Sequence, residues 1–337
     1  MEMIKPTPTK RFVLDVSRPC TTKCLFCYYL HSYNKWNEYI WSLEKTKNEI
    51  DKGINRGNNY ADFTGGEPTI YPYICKSIEY ALSKNVRTCI ITNGIVNKDK
   101  ANKIMDNGLD DWLISRHGLE NTHNYITQYQ NSYKIQVEFI KEISKKMSFR
   151  FNCVINKFNQ NDIFEIAKEM VVYRPRIINF INMNPHHEWQ DKTLETSQVI
   201  ADLGIVEPLL NDTIAYLEEQ KIGVNVRYYP MCCINEKYRR TICNDVSVVF
   251  DLYEWDYSIQ PKTFEAFRQW GINTSKNVEH KEHPCNICDL QWVCGGVNKH
   301  FFRASNGRFI KEITNTGIQK DDFYYYRQHN VLTLQER

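Results

Sequence analysis

The sequence has no long apolar run. None of its hydrophobic stretches reaches the roughly 20 residues that cross a bilayer, so no membrane partner is expected. The opening MEMIKPTPTK lacks the apolar core of a secretory signal, which points to a chain that is not exported. An excess of one charge is lacking too: 43 basic against 40 acidic residues leave a formal +3. That is too weak an electrostatic footprint for a nucleic-acid partner. There is no fixed-period repeat and no low-complexity tract, and 42% hydrophobic residues exclude a mainly disordered chain. The surplus of Asn, Lys, Ile and Tyr reads as an AT-rich coding genome.

What is plentiful is cysteine, twelve in 337 residues. Where thiols stay reduced, such a count serves metal sites more than disulfides. The expectation is a cytoplasmic metalloprotein. The length predicts one large domain and a smaller partner.

In the first half, short apolar runs alternate with amphipathic stretches. Strands are predicted at 12–16, 60–64, 87–92, 111–115, 148–155 and 176–182, and helices at 39–56, 72–85, 98–107, 132–145 and 161–173. The alternation argues for parallel strands joined by crossover helices, too few for a closed eightfold barrel. The predicted fold is α/β, an open, partial (β/α)6 TIM-like barrel over 1–185. Residues 186–230 are expected to form a linker with a bridging helix and a strand. Residues 231–337 are expected to form a small irregular α+β domain bearing iron–sulfur ligands.

Cys20, Cys24 and Cys27 follow the first strand at spacings of four and three. Three thiolates leave one iron of a four-iron cluster open, since such clusters take four protein ligands when complete. Gly65-Gly66-Glu67-Pro68 ends the second strand, and adjacent glycines permit close backbone approach to a ligand. Both motifs fall at the C-terminal ends of strands, where barrel enzymes build their sites.

Cys-x-x-x-Cys-x-x-Cys with Phe26 before the last thiol, then GGEP after strand two, resembles the radical S-adenosylmethionine (SAM) superfamily. The resemblance implies that Cys20, Cys24 and Cys27 ligate a 4Fe–4S cluster whose open iron takes the amino and carboxylate groups of SAM. It places the methionyl amine on backbone groups around Gly65, Gly66 and Glu67, and the adenine near Phe26 or Tyr28. Thr92, Asn93 and Ser115 become candidate cofactor contacts, and Arg116 a guanidinium that forks onto a carboxylate. Asn152, Asn179, Asn182 and Asn184 are weaker candidates. The implied chemistry is reductive cleavage of SAM to a 5′-deoxyadenosyl radical that takes hydrogen from a substrate, with flavodoxin or ferredoxin as reductant.

Cys285, Cys288 and Cys294 resemble part of the SPASM and twitch extensions of the same superfamily, which hold auxiliary clusters. Asn298 stands where a further Cys would fall, and no Cys follows Cys294, so one auxiliary 4Fe–4S cluster is expected rather than two. Its fourth ligand is sought among Cys232, Cys233 and Cys243. The spare thiol of the Cys232–Cys233 pair is a candidate hydrogen-atom donor. The competing reading is a tetrahedral zinc site from Cys285 and Cys288 with His280, His283 or Cys294. Cys75, Cys89 and Cys153 read as small buried hydrophobes. His186, His187 and Glu188 are candidate proton carriers, though a solvated loop reads as well. Such extensions suggest a peptidyl substrate, with a sugar, nucleotide or cofactor precursor as the alternative. With the barrel beginning almost at once, no leader-binding segment is expected ahead of it. A non-catalytic iron–sulfur or zinc sensor is the reading from another class.

Overall fold

The structure, a computed structural model, describes residues 11–27, 39–183, 196–243, 279–280, 282–318 and 324–328. Tyr28, Asn184, His186, His187 and Glu188 lie outside them. The six predicted strands form β1 (Arg11–Ser17), β2 (Tyr60–Gly65), β3 (Arg87–Thr92), β4 (Asp111–Ser115), β5 (Phe149–Ile155) and β6 (Ile177–Asn182). Between them run α1 (Leu43–Asn55), α2 (Ile74–Ser83), α3 (Lys98–Asp106), α4 (Glu120–Thr127), α5 (Ser132–Ile143) and α6 (Ile163–Val171). Every pairing is parallel and in sequence order, the open α/β sheet that strand–helix alternation predicts.

The sheet does not stop at six strands. After α7 (Thr196–Val199) and α8 (Leu203–Glu219), β7 (Gly223–Arg227) pairs with β6, and β8 (Ile242–Cys243) pairs with β7. The expected bridging strand is thus part of the sheet, and β8 carries the sheet into the stretch expected as a separate small domain. Beyond it lie the antiparallel pair β9 (Glu279–His280) and β10 (Val297–Asn298), then α9 (Lys299–Ser305) and α10 (Tyr324–Gln328).

Two boundaries differ from expectation for local reasons. The first helix begins at Leu43 rather than residue 39 because Ser42 caps it, its hydroxyl taking the Lys45 N–H at 3.1 Å. Helix α4 was not predicted: ENTHNYIT has no apolar stripe, and the helix ends at Gln128 in the left-handed conformation, φ 54°.

Strand alternation separates two faces. Phe12, Leu14, Val16, Phe63, Ile90, Trp112, Phe151 and Phe180 pack under the helices. The other face carries Tyr60, Cys89 and Leu113 as a separate cluster, together with buried charge. Arg11 grips Asp62 through Nε (2.9 Å) and Nη2 (2.6 Å). Asp111 Oδ2 accepts from Arg150 Nε (2.6 Å), Arg176 Nη2 (3.0 Å) and the Tyr60 hydroxyl (3.0 Å). These residues sit at the N-terminal ends of their strands, so the ion pairs plug that end. Ligands are left the opposite end, where the cysteine loop and GGEP turn lie.

Candidate active site

The loop carrying Cys20, Cys24 and Cys27 leaves the end of β1 and is clamped at its base by the glycine turn after β2. Gly66 N–H donates to Ser17 O (2.6 Å) and Glu67 N–H to Pro19 O (2.9 Å). A Cβ on Gly65, where φ is +131°, would stand 2.0 Å from Ser17 O, and one on Gly66 2.1 Å from Arg18 O. The close approach that these glycines permit is therefore to the chain itself.

Glu67 is fully buried, and its carboxylate accepts from Thr69 N (3.1 Å), Thr92 Oγ1 (2.8 Å) and Asn93 N (2.8 Å). Burial pushes the carboxyl up, against these donors. Its side chain stitches the end of β2 to the end of β3. Asn93 completes the join: its Nδ2 donates to Thr21 Oγ1 (2.8 Å) and reaches Cys20 Sγ at 3.6 Å. Thr22 Oγ1 lies 3.4 Å from Cys20 Sγ and 3.5 Å from Cys24 Sγ. Burial raises both thiols; beyond it, Glu67 raises Cys20 and Cys27 raises Cys24.

At the ends of β4 and β5 the arrangement differs from the sequence expectation for Arg116. Its guanidinium, on a residue 1% exposed, donates to Gln136 Oε1 (2.5 Å) and Glu169 Oε1 (2.7 Å) and stacks over Tyr133. The fork is spent inside the protein. Gln136 passes the link on, donating to Asn93 O (2.6 Å) and Ser115 O (2.9 Å). Sequence reasoning missed Gln136 and Glu169. The available signal was a glutamine in the apolar stripe of α5, in step with Phe139, Ile140 and Ile143.

Phe26 packs edge-on against His117, ring centroids 4.8 Å apart. Burial, then the charge of Arg116, lowers His117 to about 3, and the same causes hold His123 well below the ordinary histidine value. Both rings accept backbone N–H groups at Nδ1, from Val154 (3.2 Å) and His117 (3.1 Å). The unfolded chain protonates these histidines near pH 6.5 and the folded chain resists. Their contribution is thus fully present above about pH 6.5 and is lost as pH falls toward 3. Urea melts are expected to show stability flat above neutrality and falling below it by up to about 1.4 kcal/mol per pH unit for each histidine. In His123→Gln the acid slope is expected to flatten; an unchanged slope would contradict the assignment.

On the sheet face opposite the helices, three amides run in register across β5, β6 and β7: Asn225 Nδ2 donates to Asn179 Oδ1, and Asn179 Nδ2 to Asn152 Oδ1, both at 2.8 Å. Cys243 ends this ladder, its thiol donating to Asn225 Oδ1 (3.2 Å). Asn182 Nδ2 instead donates to Tyr228 O (3.1 Å).

The second constellation closes around a pocket where Cys232, Cys285, Cys288 and Cys294 line one space with Met231, Leu290 and Lys311. Backbone N–H groups of Ile313 and Gly296 donate to Cys288 Sγ (3.4 Å) and Cys294 Sγ (3.3 Å). Cys233, 1% exposed, instead donates to Phe309 O (3.3 Å). Of the three thiols left open by the sequence, the structure brings Cys232 to this pocket, seals Cys233 in the core and puts Cys243 on the sheet. The hydrogen-donor expectation for the adjacent pair thus meets one thiol lining the pocket and one buried beside it, the two sulfurs 3.9 Å apart. Thiols around one zinc ion stand about 3.8 Å apart, given Zn–S near 2.3 Å in a tetrahedron. Among the described residues no three His, Cys, Asp or Glu side chains converge as ligands of a single metal ion. No helix among them is long and apolar enough to cross a membrane.

The Radical SAM superfamily model matches residues 14–170. Fe-coproporphyrin III synthase of Methanosarcina barkeri is 27% identical over 207 residues, covering 57% of this chain and 49% of that protein. GTP 3′,8-cyclase of Clostridium perfringens is 23% identical over 205 residues, covering 59% and 63%. The chain thus spans between about half and two thirds of these curated relatives. Among solved structures, anSMEcpe with bound AdoMet and Cp18Cys peptide superposes with TM-score 0.60 at 18% identity, over 98% of this chain and 97% of the other. Streptococcus suis SuiB bound to precursor peptide SuiA superposes with TM-score 0.54 at 17% identity, over 65% and 48%. Cysteine loop, open parallel barrel and family match agree: residues 14–170 of this chain match the radical SAM superfamily.

Proposed function

We propose that Cys20, Cys24 and Cys27 hold a 4Fe–4S cluster whose free iron takes SAM, and that the chain uses the pair for radical chemistry on a bound substrate. The observation that carries this reading is the contact of Asn93 with Cys20 and Thr21, because it joins the thiol loop, the GGEP turn and the end of β3 into one rigid mouth. The donor set fits the group: three thiols on one loop, none convergent enough for a single ion, with a fourth position left to a ligand. When bound, the cluster supplies the electron that splits SAM into methionine and a 5′-deoxyadenosyl radical able to take a hydrogen atom. The chain's own residues orient. Thr22 and Asn93 fix the thiols, Glu67 fixes Asn93, and Phe26 is braced by His117. The Gly66 and Glu67 N–H groups and the Thr92 hydroxyl are engaged within the protein, so the carbonyls of Gly65 and Gly66, with the Ser115 hydroxyl, are the groups proposed to meet the cofactor. Tyr28, proposed for the adenine, lies outside the described residues.

Cys232, Cys285, Cys288 and Cys294 are proposed to hold one auxiliary 4Fe–4S cluster, in a small domain that we place within 231–337. Cys232→Ser is expected to remove up to about four irons per chain, whereas Cys243→Ser removes none. Equal iron in Cys232→Ser and the parent would contradict this ligand set. The substrate reading favours a peptide, supported by likeness to anSMEcpe along nearly the whole chain. The small-molecule reading is supported by sequence similarity to GTP 3′,8-cyclase and Fe-coproporphyrin III synthase. The asparagine ladder, rich in neutral donors and acceptors, is the proposed substrate-facing wall. A cytoplasmic location and a small protein reductant complete the proposal. Anaerobic reconstitution followed by SAM and dithionite tests the radical chemistry: methionine and 5′-deoxyadenosine are expected in equal amounts. Intact SAM beside a spectroscopically verified cluster would overturn it.

A further inference from the structure

The cysteine loop is fastened to the flank of the barrel as well as to its mouth. Lys23 N–H donates to Thr127 O (3.0 Å) and Leu25 N–H to Ile126 O (2.9 Å), so Cys24 lies between two bonds to the end of α4. Phe26 rests on His117, whose ring takes the Val154 N–H and whose carbonyl takes the Asn159 amide at 2.8 Å. Three segments, 22–27, 121–131 and 154–161, are thereby fixed side by side behind the thiols.

Their outer surface is aromatic. Tyr125 is 55% exposed and Tyr129 39%, and Phe158 packs edge-on against Tyr125 at 5.3 Å. The Phe158 turn is held from within: Asn156 N–H donates to Asn159 Oδ1 (2.8 Å) and Phe158 N–H to Asn156 Oδ1 (2.9 Å). Charge within these segments is of one sign, with the half-buried Asp162 just beyond them. The three segments hold two lysines, the exposed Lys23 and Lys157, and no Asp or Glu. His123 is buried and neutral. The nearest acid on α4, Glu120, sits at its far end and pairs with Lys134 at 3.5 Å. Rigid exposed aromatics rimmed by charge mark a docking face, and weak electron-transfer encounters use small faces steered by complementary charge.

We propose that this surface receives the electron donor, an acidic one-electron carrier protein of the flavodoxin kind. The inference rests on the assignment of Cys20, Cys24 and Cys27 to a cluster and adds where its electron enters. One electron leaves the carrier's reduced flavin and lowers the cluster's charge by one, with no bond made or broken and no proton exchanged. The bond from Leu25 N–H to Ile126 O links the thiol loop to the residue next to Tyr125.

The test is stopped-flow bleaching of the reconstituted protein, driven by reduced flavodoxin or by dithionite, at low and high salt. With flavodoxin, Lys157→Glu and Tyr125→Ser are expected to slow reduction about tenfold at low salt. High salt should shrink the Lys157→Glu difference, and dithionite rates should be unchanged. Unaltered flavodoxin rates in both variants would overturn the docking face. A fall with both reductants would overturn it too, because it marks a damaged cluster rather than a lost encounter. Parent protein that dithionite cannot bleach would instead overturn the cluster assignment.

Discussion

Cys24→Ala is expected to abolish formation of 5′-deoxyadenosine and to lower the iron content by about four atoms per chain. The thiol is half-buried, shares Thr22 Oγ1 with Cys20, and stands on backbone tied to Thr127 and Ile126. Among the described residues nothing there replaces a lost sulfur: hydroxyls of Thr21 and Thr22 and the Asn93 amide are poor ligands for iron. Folding should be little affected, since exchanging a thiol for a methyl-sized group costs less than about 1.5 kcal/mol. The paired readout is therefore iron content against melting temperature. Cys75→Ala, on the outer helix α2, serves as the control and is expected to keep both iron and activity. Full activity in Cys24→Ala would remove the basis for the proposed site.

Asp111→Ala is expected to cost about 3–5 kcal/mol of folding stability, the range for breaking a buried ion pair. One carboxylate oxygen there serves Arg150, Arg176 and Tyr60, at the end of the sheet opposite the cysteines. Removing it leaves buried cations to face one another, because Arg150 lies close enough to Arg11 to oppose its charge. Urea denaturation with an unchanged m-value should read the loss directly. A loss below about 1 kcal/mol, the scale of an exposed pair, would show that the plug is not what closes that end. The two variants separate the ends of the barrel: one loses chemistry with the fold intact, the other loses stability at a distance from the chemistry.

Much of this was legible in the sequence. The six strands were visible as apolar runs because their outward faces are buried under helices, and the cysteine spacing marked the loop directly. What escaped detection lacked a periodic signal. Strand β8 is two residues long, α4 has no apolar stripe, and both are defined by their neighbours rather than by themselves. Arg116 read as a ligand fork because one sequence cannot reveal that Gln136 and Glu169, 20 and 53 residues later, converge on it. Asn93 read as a cofactor contact; in the fold it braces the cysteine loop, a role that requires knowing where Thr21 lies. The choice among Cys232, Cys233 and Cys243 was open for the same reason. The Cys232 and Cys233 sulfurs stand only 3.9 Å apart, and only the packing shows which thiol meets Cys285, Cys288 and Cys294.

The most direct measurement of the central claim is electron–nuclear double resonance on the reduced, reconstituted protein with SAM labelled in its methionyl amine and carboxylate. The account predicts hyperfine coupling from both labels to one cluster, lost in Cys24→Ala and kept in Cys232→Ser. A reduced cluster whose spectrum is unchanged by labelled SAM would contradict it.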